Sequence, residues 1–266
     1  MSQNAVDLSL RQFSEAWRLM CADAPAYAEE SVEGLECIFS CVPVAFFNVG
    51  LVTEHQVSAD GLRTHGERAC RFAAAKEVPW LFVTTSEALA PGVDAAATLD
   101  AVGLTPIMAL TGMIADKVAP LARVPDGLQL TVPQDEGACA TLLDVNSAAY
   151  AMDLDAAKTV MGKPSFWKPH FPVLGLADGK PACTSAVIMV DDYRYVALVA
   201  TDPGHQRRGF ADAAMRQSLD DAARVHGNGP TFLHATDAGK PVYERMGYRT
   251  VSSHTVFLEK RFLEGH

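Results

Sequence analysis

Along the second half of the chain, hydrophobic positions alternate with a period of two, shift to helical spacing, and shift back. "LQLTV" reads as a strand and "QDEGACATLLDVNSAAYAM" as a helix. "GKPSFWKPHFP", interrupted by prolines, reads as irregular. "VLGLADGKPACTSAVIMVDDYRYVALVAT" reads as three strands joined by tight turns at Asp178-Gly179 and Asp191-Asp192. A helix is expected from about Arg207 to His226, with Phe210, Ala214, Leu219 and Ala223 near one face. "GNGP" then turns the chain into the strand "TFLHA", and a short helix stops at Gly247 in "ERMG". "YRTV" and "HTVFLEK" are the last strands.

The first half has a similar late order. "FFNVGLVT" reads as a strand, "ADGLRTHGERACRFAAA" as a helix and "PWLFVT" as a strand. "VDAAATLDAVG" is helical and "LTPIMALTGMIAD" strand-like. In both "LDAVGLTPIMALTGMIAD" and "YERMGYRTVSSHTVFLEK" a short helix ends in glycine, an apolar residue follows, and a strand closes the segment. The distance from Val52 to Gly103 nearly equals that from Val199 to Gly247. The reading is a tandem duplication; two unrelated α/β segments with shared grammar are the alternative. Pro120, Pro125 and Gly127 break the chain between the halves, so the boundary is placed near residue 122, giving domains 1–121 and 122–266. The fold class is α/β (α+β), a mixed, mostly antiparallel central sheet flanked by helices, in two tandem copies.

Composition narrows the function. The 266 residues are 49% hydrophobic and 20% charged, a globular balance. A net charge of −10 argues against nucleic acid as a partner. Cys21, Cys37, Cys41, Cys70, Cys139 and Cys183 are scattered without zinc spacing, so reduced thiols, no metal and a cytoplasmic location are expected. "MSQNAVDLSL" lacks a signal peptide's basic and apolar regions. The longest apolar run, "VPVAFFNVGLV", is about half of the ~20 residues that a membrane span needs, so no membrane partner is expected.

Against that acidic background, "DPGHQRRGFADAAM" stands out. It places two arginines and a glycine between a strand and a helix. A helix start offers unpaired N–H groups and a partial positive charge, where a phosphate sits readily. Gly209 and Ala211 keep the turn small enough for close approach, Gln206 precedes them, and Arg207 and Arg208 add charge-assisted bonds. A solvated helix start is the alternative. The glycine-lysine-serine/threonine ending of nucleotide-hydrolase phosphate loops is missing.

"QRRGFA" resembles the Q/R-x-x-G-x-G/A acyl-CoA-binding signature of the GNAT superfamily of N-acetyltransferases. "HATDAGKPVYERMGYR" is similar to that family's second signature, a helix carrying Tyr-Glu-x-x-Gly-[Phe/Tyr]. The resemblance covers roughly residues 127 to 262. It implies a GNAT-like fold, acetyl-CoA as donor and an amine of a small molecule or peptide as acceptor. It implies that the edge of Leu198, Val199, Ala200 and Thr201 pairs with the pantetheine arm, with an N–H near Val199 or Ala200 on the thioester oxygen. The pyrophosphate would lie on the amides from Arg207 through Phe210 to Ala211, and Lys240 would reach the adenosine-end phosphate. Tyr243 stands at the position of the acid that protonates the departing thiolate.

The base that deprotonates the amine is left open among His234, His170, Asp153, Asp155, Asp191, Asp192 and a water chain. Phe166, Trp167 and Phe171 are either an acceptor wall or core. The first half has "VSADGL" where the second has "QRRGFA", and Leu99 where the second has Tyr243, so it reads as a support without a site. A non-catalytic acyl-CoA sensor or interaction protein on the same scaffold is the other class of function, and acyl transfer to a hydroxyl, or of a longer acyl chain, is a further one. Oligomeric state, monomer or homodimer, is left open.

Overall fold

The computed structural model describes residues 3–121 and 123–263. Ala122, where the second domain was expected to begin, lies outside the described residues. In chain order the elements are α1 (Gln3–Cys21), β1 (Ala28–Val32), β2 (Leu35–Phe39), β3 (Asn48–Val52), α2 (Ala59–Ala74), β4 (Leu81–Thr85), α3 (Ala95–Asp100), β5 (Leu104–Ala115) and β6 (Leu128–Thr131). Then come α4 (Glu136–Tyr150), α5 (Lys158–Met161), α6 (Pro164–Trp167), β7 (Phe171–Ala177), β8 (Lys180–Val190), β9 (Tyr193–Thr201), α7 (Phe210–His226), β10 (Thr231–Thr236), α8 (Lys240–Arg245) and β11 (Arg249–Glu259).

The chain forms two compact units, and they draw on both sides of the proline-rich boundary. Unit 1 holds residues up to Met113, His234–Pro241 and the chain from Thr250; unit 2 holds Ile114–Leu233 and Val242–Arg249.

In unit 1 the strand order is β1-β2-β3-β4-β11-β5. β3 and β4 are parallel; β1–β2, β2–β3 and β4–β11 are antiparallel. The strand beside β4 therefore comes from the far C-terminus, in register Val256↔Val83. Lys260 N–H bonds the Gly103 carbonyl at 2.8 Å, and Trp80 Nε1 bonds Glu259 at 2.8 Å, which fix that strand's end. Leu35, Phe39, Trp80, Phe82, Leu99 and Phe257 form the core between sheet and α2. Leu99 is packing, as its apolar neighbours required.

Residues 3–39 were assigned no element from sequence. They form α1 and the β1–β2 hairpin. Val6, Leu10, Phe13, Trp17 and Met20 recur at helical spacing on the buried face of α1.

In unit 2 the strand order is β10-β9-β8-β7-β6. Only β9–β10 is parallel among its ladders. The two tight turns fall as expected, with Asp178, Gly179 and Asp191 at positive φ. Val173, Ala182, Cys183, Phe210, Ala213 and Ala214 fill the face under α7; Val145, Leu174 and Ala200 fill the other face, under α4. The stretch read as irregular contains the one-turn helix α6. "YRTV" and "HTVFLEK" are one continuous strand rather than two, and α7 begins at Phe210, not Arg207. Its buried stripe runs through Ala222 and not Ala223.

Both halves contain the order helix, three antiparallel strands, helix, parallel strand, short helix, long strand, to which the second half adds β6 before α4, and α5 and α6 after it.

Candidate active site

The site grows from one irregularity in β9. Along β8 the register runs from Val190↔Tyr193 to Ala186↔Ala197, then resumes at Thr184↔Ala200. One residue, Ser185, thus faces two, Leu198 and Val199. This is a β-bulge, and Leu198 takes a left-handed φ of +52°, the conformation that the G1 type of bulge uses. Ala197 and Ala200 keep their backbone groups in the β8 ladder, which leaves those of Val199 for the opposite edge. On that edge β10 pairs with β9 only at Thr231↔Arg194 and Phe232↔Tyr195. Among the described residues, the run from Leu198 to Thr201 has no strand partner there.

The root of this divergence is pinned. Thr231 Oγ1 donates to the Arg194 carbonyl at 2.8 Å and meets Tyr248 Oη at 2.8 Å. The buried Arg194 guanidinium bonds the carbonyls of Leu219, at 3.3 Å, and Gly229. Burial lowers its pKa.

Beyond Thr201 the chain makes a one-turn 3-10 segment. Asp202 accepts from Gly204 N–H at 2.9 Å and faces His205 Nδ1 at 3.3 Å. Arg207 (φ +62°) and Gly209 (φ +76°) are both left-handed. They turn the chain so that α7 opens with no side-chain cap. The first intrahelical bond is Ala213 N–H to the Gly209 carbonyl, at 3.1 Å. The N–H groups of Phe210, Ala211 and Asp212 lie ahead of that bond, as an anion cradle requires.

Gly209 is demanded by its φ rather than by crowding, since an added Cβ meets nothing nearer than Pro125 Cγ at 3.9 Å. The buried Phe210 ring anchors the helix start, and the Arg208 guanidinium lies over it at 4.5 Å. Gln206, Arg207 and Arg208 are exposed. Asp212, the one acid of the first turn, is ion-paired to Arg216 at 3.0 Å.

The same positions in unit 1 are closed. The Ser58 side chain caps α2 by accepting from Gly61 N–H at 3.1 Å, whereas α7 has no side-chain cap. β3 and β4 pair in parallel, and Val57 extends the contact by bonding Ala88 and Ala90 at 3.0 and 2.9 Å. Unit 2 thus has an uncapped helix start and a strand edge without a strand partner, and in unit 1 the chain itself fills both positions.

Tyr243 projects from α8, partly buried, its ring edge-on to Tyr248 at 6.0 Å. Among the described residues its hydroxyl is bonded to nothing. Burial, then the neighbouring Tyr150 and Tyr248, push its pKa up, so it stays protonated at neutral pH. Tyr150, at the end of α4, donates its hydroxyl to the Val199 carbonyl. Sequence reasoning missed Tyr150. Its only local signal is its place four residues after Asn146, a polar pair on an apolar helix.

His234 lies in unit 1. Its Nε2 is 3.0 Å from Ser9 Oγ, and its ring is edge-on to Phe13 at 4.7 Å and to His254 at 4.9 Å. Burial and His254 push its pKa well below the ordinary value, so it is neutral. Lys240 also falls in unit 1, at the first position of α8. His170 is buried against Phe166 and Trp167, and Trp167 Nε1 bonds the Met161 carbonyl at 2.6 Å, so these three are core. Phe171 stacks edge-on with His226. Asp153 accepts from Asp155 N–H at 3.0 Å, Asp155 pairs with Lys158 at 2.6 Å, and Asp191 and Asp192 form the β8–β9 turn. Among the described residues no cluster of His, Cys, Asp and Glu could hold a metal ion.

Residues 171–263 match the family model described as an acetyltransferase (GNAT) domain. No curated protein matches the sequence significantly. Among solved structures, a GCN5-related N-acetyltransferase from Kribbella flavida superposes with a TM-score of 0.69 at 19% identity, covering 94% of this chain and 95% of its own. A functionally unknown conserved protein from Staphylococcus epidermidis gives 0.62 at 13%, covering 88% and 94%. A tandem GNAT protein from the clavulanic acid biosynthesis pathway gives 0.52 at 14%, covering 95% and 94%. The fold is that of the GNAT superfamily, over nearly the whole chain. Its C-terminal region carries the GNAT acetyltransferase domain.

Proposed function

We propose that the protein is an acetyl-CoA-dependent N-acetyltransferase that acts on the amine of a small molecule or peptide, with its donor site in unit 2. The reading includes a tandem duplication whose first copy has lost, or never had, the site. The observation that supports it most is the pairing, in one unit and within the matched GNAT domain, of an uncapped α7 start with a β9 edge that has no strand partner. Acetyl-CoA has the two parts that such a surface suits: a diphosphate for the cradle, and an amide-rich arm for the strand edge. The acidic net charge of −10 favours a cationic acceptor. The free cysteines accord with a cytoplasmic location.

In the reaction the amine nitrogen bonds the acetyl carbon, the carbon–sulfur bond breaks, and one proton passes in net from nitrogen to sulfur. The Val199 N–H polarises the thioester oxygen as charge builds there. The Tyr243 hydroxyl, protonated and bonded to no protein group, donates toward the departing sulfur. A thiol has a pKa of about 8.5, below that of this phenol. Transfer from the phenol alone is therefore uphill, and it is completed by the ammonium of the adduct: as Tyr243 gives its proton to sulfur, the ammonium's proton replaces it.

A phenol on α8 bonded to no protein group, with Tyr150 as a neighbour, favours catalysis over a pure acyl-CoA sensor. A thiol-release screen with acetyl-CoA against amines, amino acids, aminoglycosides and peptides tests the activity. Tyr243→Phe should lower kcat on the order of 100-fold with donor affinity unchanged; equal turnover would remove the acid from the mechanism.

A further inference from the structure

The bulge in β9 is held from outside its own strand. Thr184, fully buried on β8, donates its hydroxyl to the Leu198 carbonyl at 2.8 Å. It can only donate there, because a carbonyl only accepts, and its own oxygen accepts from Asn146 Nδ2 at 2.9 Å. The Asn146 amide is oriented in turn by its bond to the Leu142 carbonyl, also 2.9 Å, which must face nitrogen. One helical turn on, Tyr150 binds the next carbonyl, that of Val199. Ser185, opposite the bulge, is tied to Ser218 of α7 at 2.9 Å.

A trans peptide points its C=O and N–H in opposite directions. Holding the Leu198 carbonyl toward Thr184 therefore turns the Val199 N–H away from β8, to the open edge. Leu198 sits at φ +52°, a conformation that costs of order 1–2 kcal/mol for such a residue. Asn146 Oδ1 is buried with no partner, a further cost. Both costs fall on the one group of residues that sets this amide.

We propose that Thr184, oriented by Asn146 and seconded by Tyr150, is the positioning residue that aims the Val199 N–H at the acyl carbonyl. This rests on the donor-site reading above. The chain's diphosphate and arm contacts would bind the donor without it; the relay would act when charge develops on the oxygen.

The test is steady-state kinetics and calorimetric acetyl-CoA binding on Thr184→Val, Thr184→Ser and Tyr150→Phe, with thermal melts to confirm folding. Thr184→Val should lower kcat about tenfold or more, with acetyl-CoA affinity within about twofold. Thr184→Ser, which restores the hydroxyl, should return kcat to near the parent value. Tyr150→Phe, at a half-exposed position, should give a smaller kcat loss of the same kind. If the valine variant does not fold, Thr184→Cys, with a weaker donor of similar size, takes its place under the same expectation. Unchanged kcat in a folded variant overturns the inference, as does a loss confined to donor affinity or a serine variant as impaired as the valine. A parent protein that binds acetyl-CoA and turns over while Thr184 variants match it leaves the donor site standing. A parent that binds no acetyl-CoA ends both.

Discussion

Gly209 shows how a single residue joins conformation to chemistry. Its φ of +76° is open to glycine and strained for other residues. The nearest atom to an added Cβ is 3.9 Å away, so the chain itself has room for one. Gly209→Ala should therefore cost roughly 1–2 kcal/mol of stability and weaken acetyl-CoA binding about tenfold, because the methyl group stands among the cradle amides. Isothermal calorimetry on the folded variant checks this; undiminished affinity would dismiss the cradle. The residues that make this turn were legible beforehand because they are consecutive: "QRRGFA" carries its spacing in the sequence. Tyr243 was legible for the same reason. Thr184, Asn146 and Tyr150 were not, since each acts on a carbonyl in another element. His234 was legible as a chemical candidate, yet its address in unit 1 follows from strand placement, which no local pattern encodes.

At the level of elements, the strands and helices of the second half were read with few errors, since turn dipeptides and periodicity are local. The errors are local too. α7 starts three residues late because Arg207 and Gly209 are left-handed. The sequence pattern divides β11 at Ser252-Ser253, where the buried hydroxyl of Ser252 hides the strand pattern. The partnership of β11 is the larger surprise. It lies beside β4 in unit 1, with Val256 and Phe257 opposite Val83 and Phe82. Residues 1–121, expected to be a domain from the proline-rich boundary, contain α1 to β5 but not this strand. Expressed alone, that fragment should lack cooperative unfolding and expose the Phe82 and Trp80 surface. Circular dichroism melts and dye binding would show it, whereas a sharp transition matching that of the full chain would contradict the assignment. Strand pairing alone brings the chain's end here, and helix or strand propensity is silent about partners.

For the molecule as a whole, the interior of unit 1 joins the chain's distant parts through polar groups. Ser9 Oγ meets Ser252 Oγ at 2.6 Å, His254 Nε2 at 3.2 Å and His234 Nε2 at 3.0 Å, while His254 Nδ1 meets Thr85 Oγ1 at 2.9 Å. Gly112 allows the packing, since a Cβ there would lie 2.1 Å from Ser252 Oγ. Burial holds His254 down to about 3 and His234 well below 6.5. Both are neutral in the fold and protonate near 6.5 when it unfolds. The unfolded chain thus binds more protons below that pH, and stability is full above about 6.5 and falls as pH drops toward 3. Each histidine contributes on the order of 1 kcal/mol per pH unit in that window. Urea unfolding from pH 8 to 5 should give a slope approaching two protons below pH 6; a flat profile would mean the pair is solvated. The amino-acid order alone determined the glycine turn before α7, the Tyr243 helix, the strands from β6 to β10 and the likeness between halves, because each is a short-range pattern. Tertiary structure alone decided which unit receives the last strand, which of two similar helix starts stays open, and what aims the bulge. Those depend on backbone hydrogen bonds between residues far apart in the chain, and such bonds are the same chemistry whatever side chain stands above them.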